Sequence, residues 1–238
     1  MKSPKESGSV EIRIMAGQII TVFIVIVLLL TVASLMGQYY KFFGGRDRDL
    51  VRLFDLDGEW NIPTAYQGFS LLICSLLIAS IGIVKQRVAD EFYLHWIVLS
   101  VMFFGMAVDE IVQIHEQLNQ PLRLVLNAKG ALHYAWVIPG SGCVIALGLF
   151  YRRFILGLGG RTRRLFIASG ILYVLGAIGV EMIGGGYVDR GGNQTFTYAL
   201  ITNCEELLEM VGILVFMYAL MSYIAQNMGE VRIRFFTR

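Results

Sequence analysis

Charge is what this chain has least of. Asp, Glu, Lys and Arg make up 16% of 238 residues, hydrophobic residues make up 56%, and the mean hydropathy is +0.63. That balance excludes a soluble domain with a large aqueous-phase activity and belongs to a polytopic membrane protein. Cysteine is nearly as sparse. Cys74, Cys143 and Cys204 are odd in number and each falls inside an apolar stretch, which excludes a disulfide framework and a thiolate–metal site. They read as buried, inert small hydrophobes. The three histidines, His95, His115 and His133, are scattered. They do not make the three-histidine arrangements of membrane hydrolases and desaturases, the paired Glu-x-x-His motifs of di-iron bundles, or facing haem ligands. The net charge of +2 is accounted for by loop residues, so no nucleic-acid partner is expected.

Six apolar stretches are present, at about 14–36, 67–84, 92–114, 132–151, 164–184 and 197–225. Each reaches or approaches the roughly 20 residues that span a ~30 Å hydrocarbon core as a helix. The connections are mostly short. The expectation is an all-α fold, one polytopic bundle of about six transmembrane helices over 1–238, with an outer loop at 37–66. Residues 1–13 are polar and the apolar run behind them is about 23 residues, longer than a signal core, so the first span reads as retained.

Basic residues orient the bundle. Arg152, Arg153, Arg161, Arg163 and Arg164 lie between spans four and five without an acid among them. Lys85 and Arg87 follow span two, Arg13 precedes span one, and Arg232, Arg234 and Arg238 mark the tail. All fall on one side if both termini are cytoplasmic. Lys41, Arg46, Arg48 and Arg52 lie on the other side, but Asp47, Asp49, Asp55, Asp57 and Glu59 accompany them. Tyr134, Trp136 and Tyr198 then belong to an outer aromatic belt.

Against this background, acids are conspicuous. Asp109, Glu110, Glu116, Glu181, Glu205, Glu206 and Glu209 lie within or at the ends of apolar segments. A charge at the bilayer centre costs at least about 2.5–3.5 kcal/mol, so such residues face a bundle interior, a partner or an ion path. The proposed orientation puts them in the outer half on three spans, with Glu205 and Glu206 about 14 Å along span six. At 100° per residue, Tyr198, Thr202, Glu205, Glu209 and Gly212 form one stripe of span six, with Glu206 at its edge. On span three, Asp109, Gln113 and Glu116 share a face. His115 falls about 120° away, so on a regular helix it does not share a site with Asp109; it is left to meet span two or four, or to bind where the helix ends. On span five, Gly170, Ala177, Glu181 and Gly184 form a small-residue face that suits close helix packing or a homo-oligomer. Pro139 with Gly140, Ser141 and Gly142 predicts a kink in span four behind His133 and Tyr134. Asp55-Leu-Asp-Gly-Glu59 lacks the full calcium-loop pattern and reads as a short cap over the acids.

The run Leu56-Asp-Gly-Glu-Trp-Asn-Ile-Pro63, with Asp109-Glu110-x4-His115-Glu116 and Glu205-Glu206-x2-Glu209, resembles a family of small, uncharacterised bacterial multi-pass proteins over most of the chain. The resemblance implies no activity. A bacterial cytoplasmic (inner) membrane is the expected location, with the lipid bilayer as partner and the acids toward the exoplasmic side.

Two functions follow. One is a cation or proton site at Asp109, Glu110, Glu181, Glu205, Glu206 and Glu209, in a transport-related bundle. Oxygen ligands there suit a hard divalent metal ion. The other is a metal-dependent enzyme acting on a lipid or lipid-linked substrate. There Glu205, Glu209, Asp109 and Glu181 hold metal, His133, His115 or Glu116 complete the sphere, and a free carboxylate serves as base. Tyr198, Thr202 and Gln113 support either site. A plainer alternative is an accessory subunit whose acids bridge helices.

Overall fold

The computed structural model describes residues 16–44 and 48–228. Arg13, Arg46, Asp47, Arg232, Arg234, Arg238 and the first two residues of span one lie outside the described residues. The described residues are all-helical: α1 (Ala16–Phe43), α2 (Arg48–Phe54), α3 (Ile62–Arg87), α4 (Tyr93–Val112), α5 (Ile114–Leu126), α6 (Val137–Gly157), α7 (Gly160–Val174), α8 (Glu181–Val188) and α9 (Phe196–Asn227). A 3-10 turn at Gly130–Leu132 precedes α6, and a π-helical turn at Leu175–Val180 joins α7 to α8. Six helices are long and apolar enough to cross a membrane: α1, α3, α4, α6, the α7–α8 rod and α9.

Local chemistry sets boundaries that hydropathy alone misplaces. The expected loop at 37–66 is mostly helical, because α1 continues to Phe43 and α2 fills Arg48–Phe54. Span two begins at Ile62 rather than 67. The Asn61 side chain accepts from Thr64 N at 3.1 Å, and Pro63 occupies the first turn, where a missing N–H breaks no helical bond. Span three stops at Val112, since Gln113 takes a left-handed conformation (φ 59°, ψ 48°) and starts the polar-faced α5. Pro139 makes no kink. It sits in the first turn of α6, which runs unbroken from Val137 to Gly157.

α9 is the hub. It packs against α1, α3 and α7, while α3 and α4 form a tight hairpin. Ser75 Oγ donates to Ser100 O and Ser100 Oγ to Ser75 O, each at 2.9 Å, which locks α3 to α4. Of its most apolar window, α9 buries 56%, whereas α6 buries 11% and stands at the margin of the bundle. The core gathers toward one end, where Trp96, Phe154, Phe166 and Tyr223 interlock edge-on and tilted. His95 stacks among Phe150 and Phe154 there, as a packing residue.

The α7–α9 contact depends on glycine at two points. A Cβ on Gly212 would stand 2.9 Å from Tyr173 N and 3.1 Å from Ser169 O, and one on Gly176 would stand 2.8 Å from Glu205 O. Gly170, assigned to this face by regular spacing, is exposed instead. The π turn puts more residues into one turn between residues 170 and 181 and so shifts the register of the face, and Gly176 takes the contact while Ala177, Glu181 and Gly184 stay buried. Gly212→Ala should therefore destabilise by about 1–3 kcal/mol through overpacking. Gly105, whose added Cβ would meet nothing within 4 Å, is the control. Thermal melts in detergent should show a clear fall for Gly212→Ala and little change for Gly105→Ala.

Candidate functional site

The acids of all three spans open onto one cavity of about 400 Å³. Asp109 and Glu110 reach it from the end of α4, Glu116 from α5, Glu181 from α8, and Glu205, Glu206 and Glu209 from α9. Asp57 and Glu59 line it from the turn between α2 and α3, the stretch read from the sequence as a cap. Among the described residues, His115 is the one basic side chain in the lining. Gln113 and Tyr198 line the cavity as expected.

The cap is held by its own backbone and one plug. Asn61 Nδ2 donates to Asp55 O at 2.6 Å and Arg52 O at 3.2 Å, while Thr64 Oγ1 donates to Gly58 O at 3.0 Å. Leu56 is buried against Val27, Met210 and Leu214, and its N–H donates to Ser34 Oγ at 3.1 Å. Gly58 is needed here because a Cβ would stand 2.7 Å from Asn61 Nδ2. Asp57 is thereby aimed into the cavity. Its side chain remains accessible there, yet the surrounding walls, then the carboxyls of Asp55, Glu116 and Glu181, push its pKa up to about 8.

The helix break at Gln113 brings His115 onto Asp109. His115 Nδ1 lies 2.6 Å from Asp109 Oδ2, and its backbone N–H donates to Asp109 Oδ1 at 3.1 Å. A regular helix would have kept them about 120° apart. Burial alone would lower the imidazole pKa, but the hydrogen bond and charge of Asp109, with help from Glu116 and Glu110, carry it up to about 9. The His115 ring also packs on Trp136, with centroids 5.1 Å apart, and Trp136 Nε1 donates to Glu181 Oε1 at 2.9 Å. One chain of contacts thus joins Asp109, His115, Trp136 and Glu181 across the cavity wall.

On the α9 side, Gln67 Nε2 donates to Glu209 Oε2 at 3.2 Å. Gln67 is 1% exposed and Glu209 8%. The other end of that amide, Oε1, has no partner among the described residues, although Gln67 lines the cavity. Tyr134 and Tyr198 join hydroxyls at 2.6 Å, and Tyr173 completes the aromatic lining.

Several expectations fail here for identifiable reasons. His133 is not a cavity residue. It precedes α6 in an irregular turn, where Arg123 Nη1 donates to its Nε2 at 3.0 Å and Asp189 lies 3.5 Å away. Thr202 is buried beside the stripe and turns its hydroxyl back to Ala199 O, so it does not reach the cavity. Gly212 lies below the acids, in the α7 contact. Cys143 and Cys204 are exposed, and Cys143 lines the cavity; only Cys74 is buried. Gly185, part of the Gly-rich stretch offered for oligomerisation, packs internally against His133 and Tyr134.

Sequence reasoning missed Gln67, Tyr173, Trp136, Tyr134 and Cys143. Gln67 carried a signal, a lone amide entering an apolar run; Trp136 and Tyr134 were indistinguishable from belt aromatics. Among the described residues, no three His, Cys, Asp or Glu side chains are grouped to hold a metal ion. The carboxyls are instead spread around the walls.

A family described as "Domain of unknown function (DUF8692)" matches residues 19–224, and the chain belongs to it. No curated protein and no solved structure matches.

The His115–Asp109 pair sets a pH dependence. Because the imidazole pKa is raised on folding, its stabilisation is complete below the free value near 6.5 and is lost as pH rises through about 9. The melting temperature of wild type minus that of His115→Gln should be largest at pH 6 and shrink toward zero above pH 9. The Asp57 pKa is also raised on folding, so its contribution to stability is lost as pH rises from about 4 through about 8, and Asp57→Asn should lessen the fall in melting temperature across that range.

Proposed function

We propose that this member of the DUF8692 family is an integral membrane protein that binds a cation, or exchanges protons, at its carboxylate-lined cavity. In this reading the six apolar helices cross a bacterial cytoplasmic membrane with both termini cytoplasmic, and the cavity opens in the outer half. The observation that carries it is the convergence of carboxyls from α4, α5, α8, α9 and the Asp57 cap on one space with a single basic side chain in its lining. This many carboxyls around one cavity need counter-charge, which protons or a cation supply. Apolar side chains left exposed around the bundle, such as Leu29 on α1 and Leu149 on α6, suit a lipid surround.

The arrangement favours binding and exchange over free conduction. Toward the other end of the bundle the acidic stripe gives way to Met106 and Tyr173, then to apolar side chains. Any transport role therefore requires the bundle to rearrange, and α6, the least buried span, is the element freest to move.

A second reading rests on the short Asp109–His115 contact with Glu116 beside it. A carboxylate-oriented imidazole is suited to proton transfer in a hydrolytic reaction on a lipid substrate, with a divalent metal ion held by neighbouring acids.

The two readings separate in proteoliposomes. Wild type should take up a cation and release protons in step, and Glu205→Gln/Glu209→Gln should reduce both at least tenfold. Stoichiometric tightly bound metal in wild type, absent from the double variant, would shift the account to the enzyme. A double variant with unchanged cation uptake and only a lower melting temperature would leave the acids as helix bridges and refute the cation site.

A further inference from the structure

A second cavity, of about 310 Å³, adjoins the acidic one, and the two share Met106 and Tyr173 as common wall. Its lining is apolar almost throughout: Leu99, Met102 and Phe103 from α4, Leu147 from α6, Val174 from α7 and Phe216 from α9 are typical.

The change from one lining to the other happens at the same level on every helix. On α4 the stripe runs from Met102 and Met106 to Asp109 and Glu110. On α9 it runs from Phe216 and Gly212 to Glu209 and Glu205. The α7–α8 rod passes from Tyr173 to Ala177 and Glu181, and α6 passes from Gly148 and Val144 to Cys143 and Gly140. On α4, α6 and α9 the steps of one, three or four residues keep each stripe on one helix face. The two cavities are therefore consecutive lengths of one slot, polar at the end of the acids and apolar beyond the midpoint. Small residues keep it open on the α6 and α7 sides, where a Cβ on Gly148 or Gly170 would meet nothing within 4 Å.

The chemistry of the polar length is specific. Carboxylates share the lining with the rings of Trp136, Tyr134, Tyr198 and Tyr173. Anionic oxygens with aromatic faces form the environment that holds substituted ammonium groups, through charge and cation–π attraction. Gln67, 1% exposed and part of the same lining, adds a buried Oε1 acceptor that has no partner among the described residues.

We propose that the slot binds an amphiphilic ammonium compound, with its cationic head among the carboxylates and aromatics and its alkyl chain in the apolar length. The proposal rests on the cation site described above and names its substrate class. A chain gains free energy with each methylene withdrawn from water, so the apolar length should appear as a chain-length dependence of affinity.

Cys143 provides the reporter, because it lines the polar length and is exposed, whereas Cys74 is buried. In a Cys204→Ser background reconstituted in nanodiscs, the rate of Cys143 modification by a water-soluble methanethiosulfonate is measured. The probes are tetramethylammonium, dodecyltrimethylammonium, dodecyl maltoside and dodecyl sulfate, with concentrations corrected for partition into empty discs. Dodecyltrimethylammonium is expected to protect at a concentration at least tenfold below tetramethylammonium, while the neutral and anionic dodecyl compounds do not protect. Gly148→Leu/Gly170→Leu, which fills the apolar length, should bring dodecyltrimethylammonium to the tetramethylammonium level. Glu205→Gln/Glu209→Gln should abolish protection by both cations.

Equal protection by the two cations overturns the amphiphile while leaving a small-cation site in place. Protection by all dodecyl compounds alike, or a chain-length gain that survives filling of the slot, also overturns it. Protection untouched by the Glu205→Gln/Glu209→Gln pair overturns the carboxylate site itself, and the cationic head with it.

Discussion

The close approach of α9 to the end of α7 is the constraint on which the rest of the molecule depends. Gly176 lies so near that a Cβ would stand 2.9 Å from Glu209 Cγ and 2.8 Å from the carbonyl of Glu205. Tyr173 and Gly212 meet at a similar separation one turn further along. With the helices at that distance, the acidic stripe of α9 lies against the π turn. The register shift at that turn then brings Glu181 to the same space. A bulkier residue at either glycine would move apart the two walls that make the cavity.

From that contact the remaining parts follow in order. α3 lies against α9 and presents Gln67 to Glu209. α4, locked to α3 through Ser75 and Ser100, places Asp109 and Glu110 opposite. The left-handed residue Gln113 ends α4 at the level of the acids and returns the chain so that His115 meets Asp109. Among the described residues, the one basic group in the lining thus arrives through a helix break, and α6 lines the cavity while burying little of itself. Polarity is concentrated at one end because the other is filled by interlocking Trp96, Phe154, Phe166 and Tyr223.

Much of this was legible in the residues. The helix class and the six apolar rods follow from run length, and the α9 stripe of Tyr198, Glu205, Glu206 and Glu209 follows from 100° per residue. The Asp57 stretch was read as lying near the acids, and Asp57 lines the same cavity. What resisted was everything governed by a local departure from regular helix. The His115–Asp109 pair depends on one left-handed residue, and the loss of Gly170 from the α9 contact depends on one π turn. Pro139 looked like a kink until the start of α6 was known, after which it became a first-turn proline. His133 was drawn away by Arg123 and Asp189, partners distant enough in sequence that no periodicity announces them.

The central claim is that these carboxyls share one exchangeable cation or proton load. Difference infrared spectroscopy on the protein in lipid, recorded on adding a cation, reads that load at the carboxyl groups themselves. The account predicts loss of a protonated-carboxyl C=O band with matching gain of carboxylate bands, both much reduced in Glu205→Gln/Glu209→Gln. A wild-type spectrum with no carboxyl change, or one identical in the double variant, would contradict it.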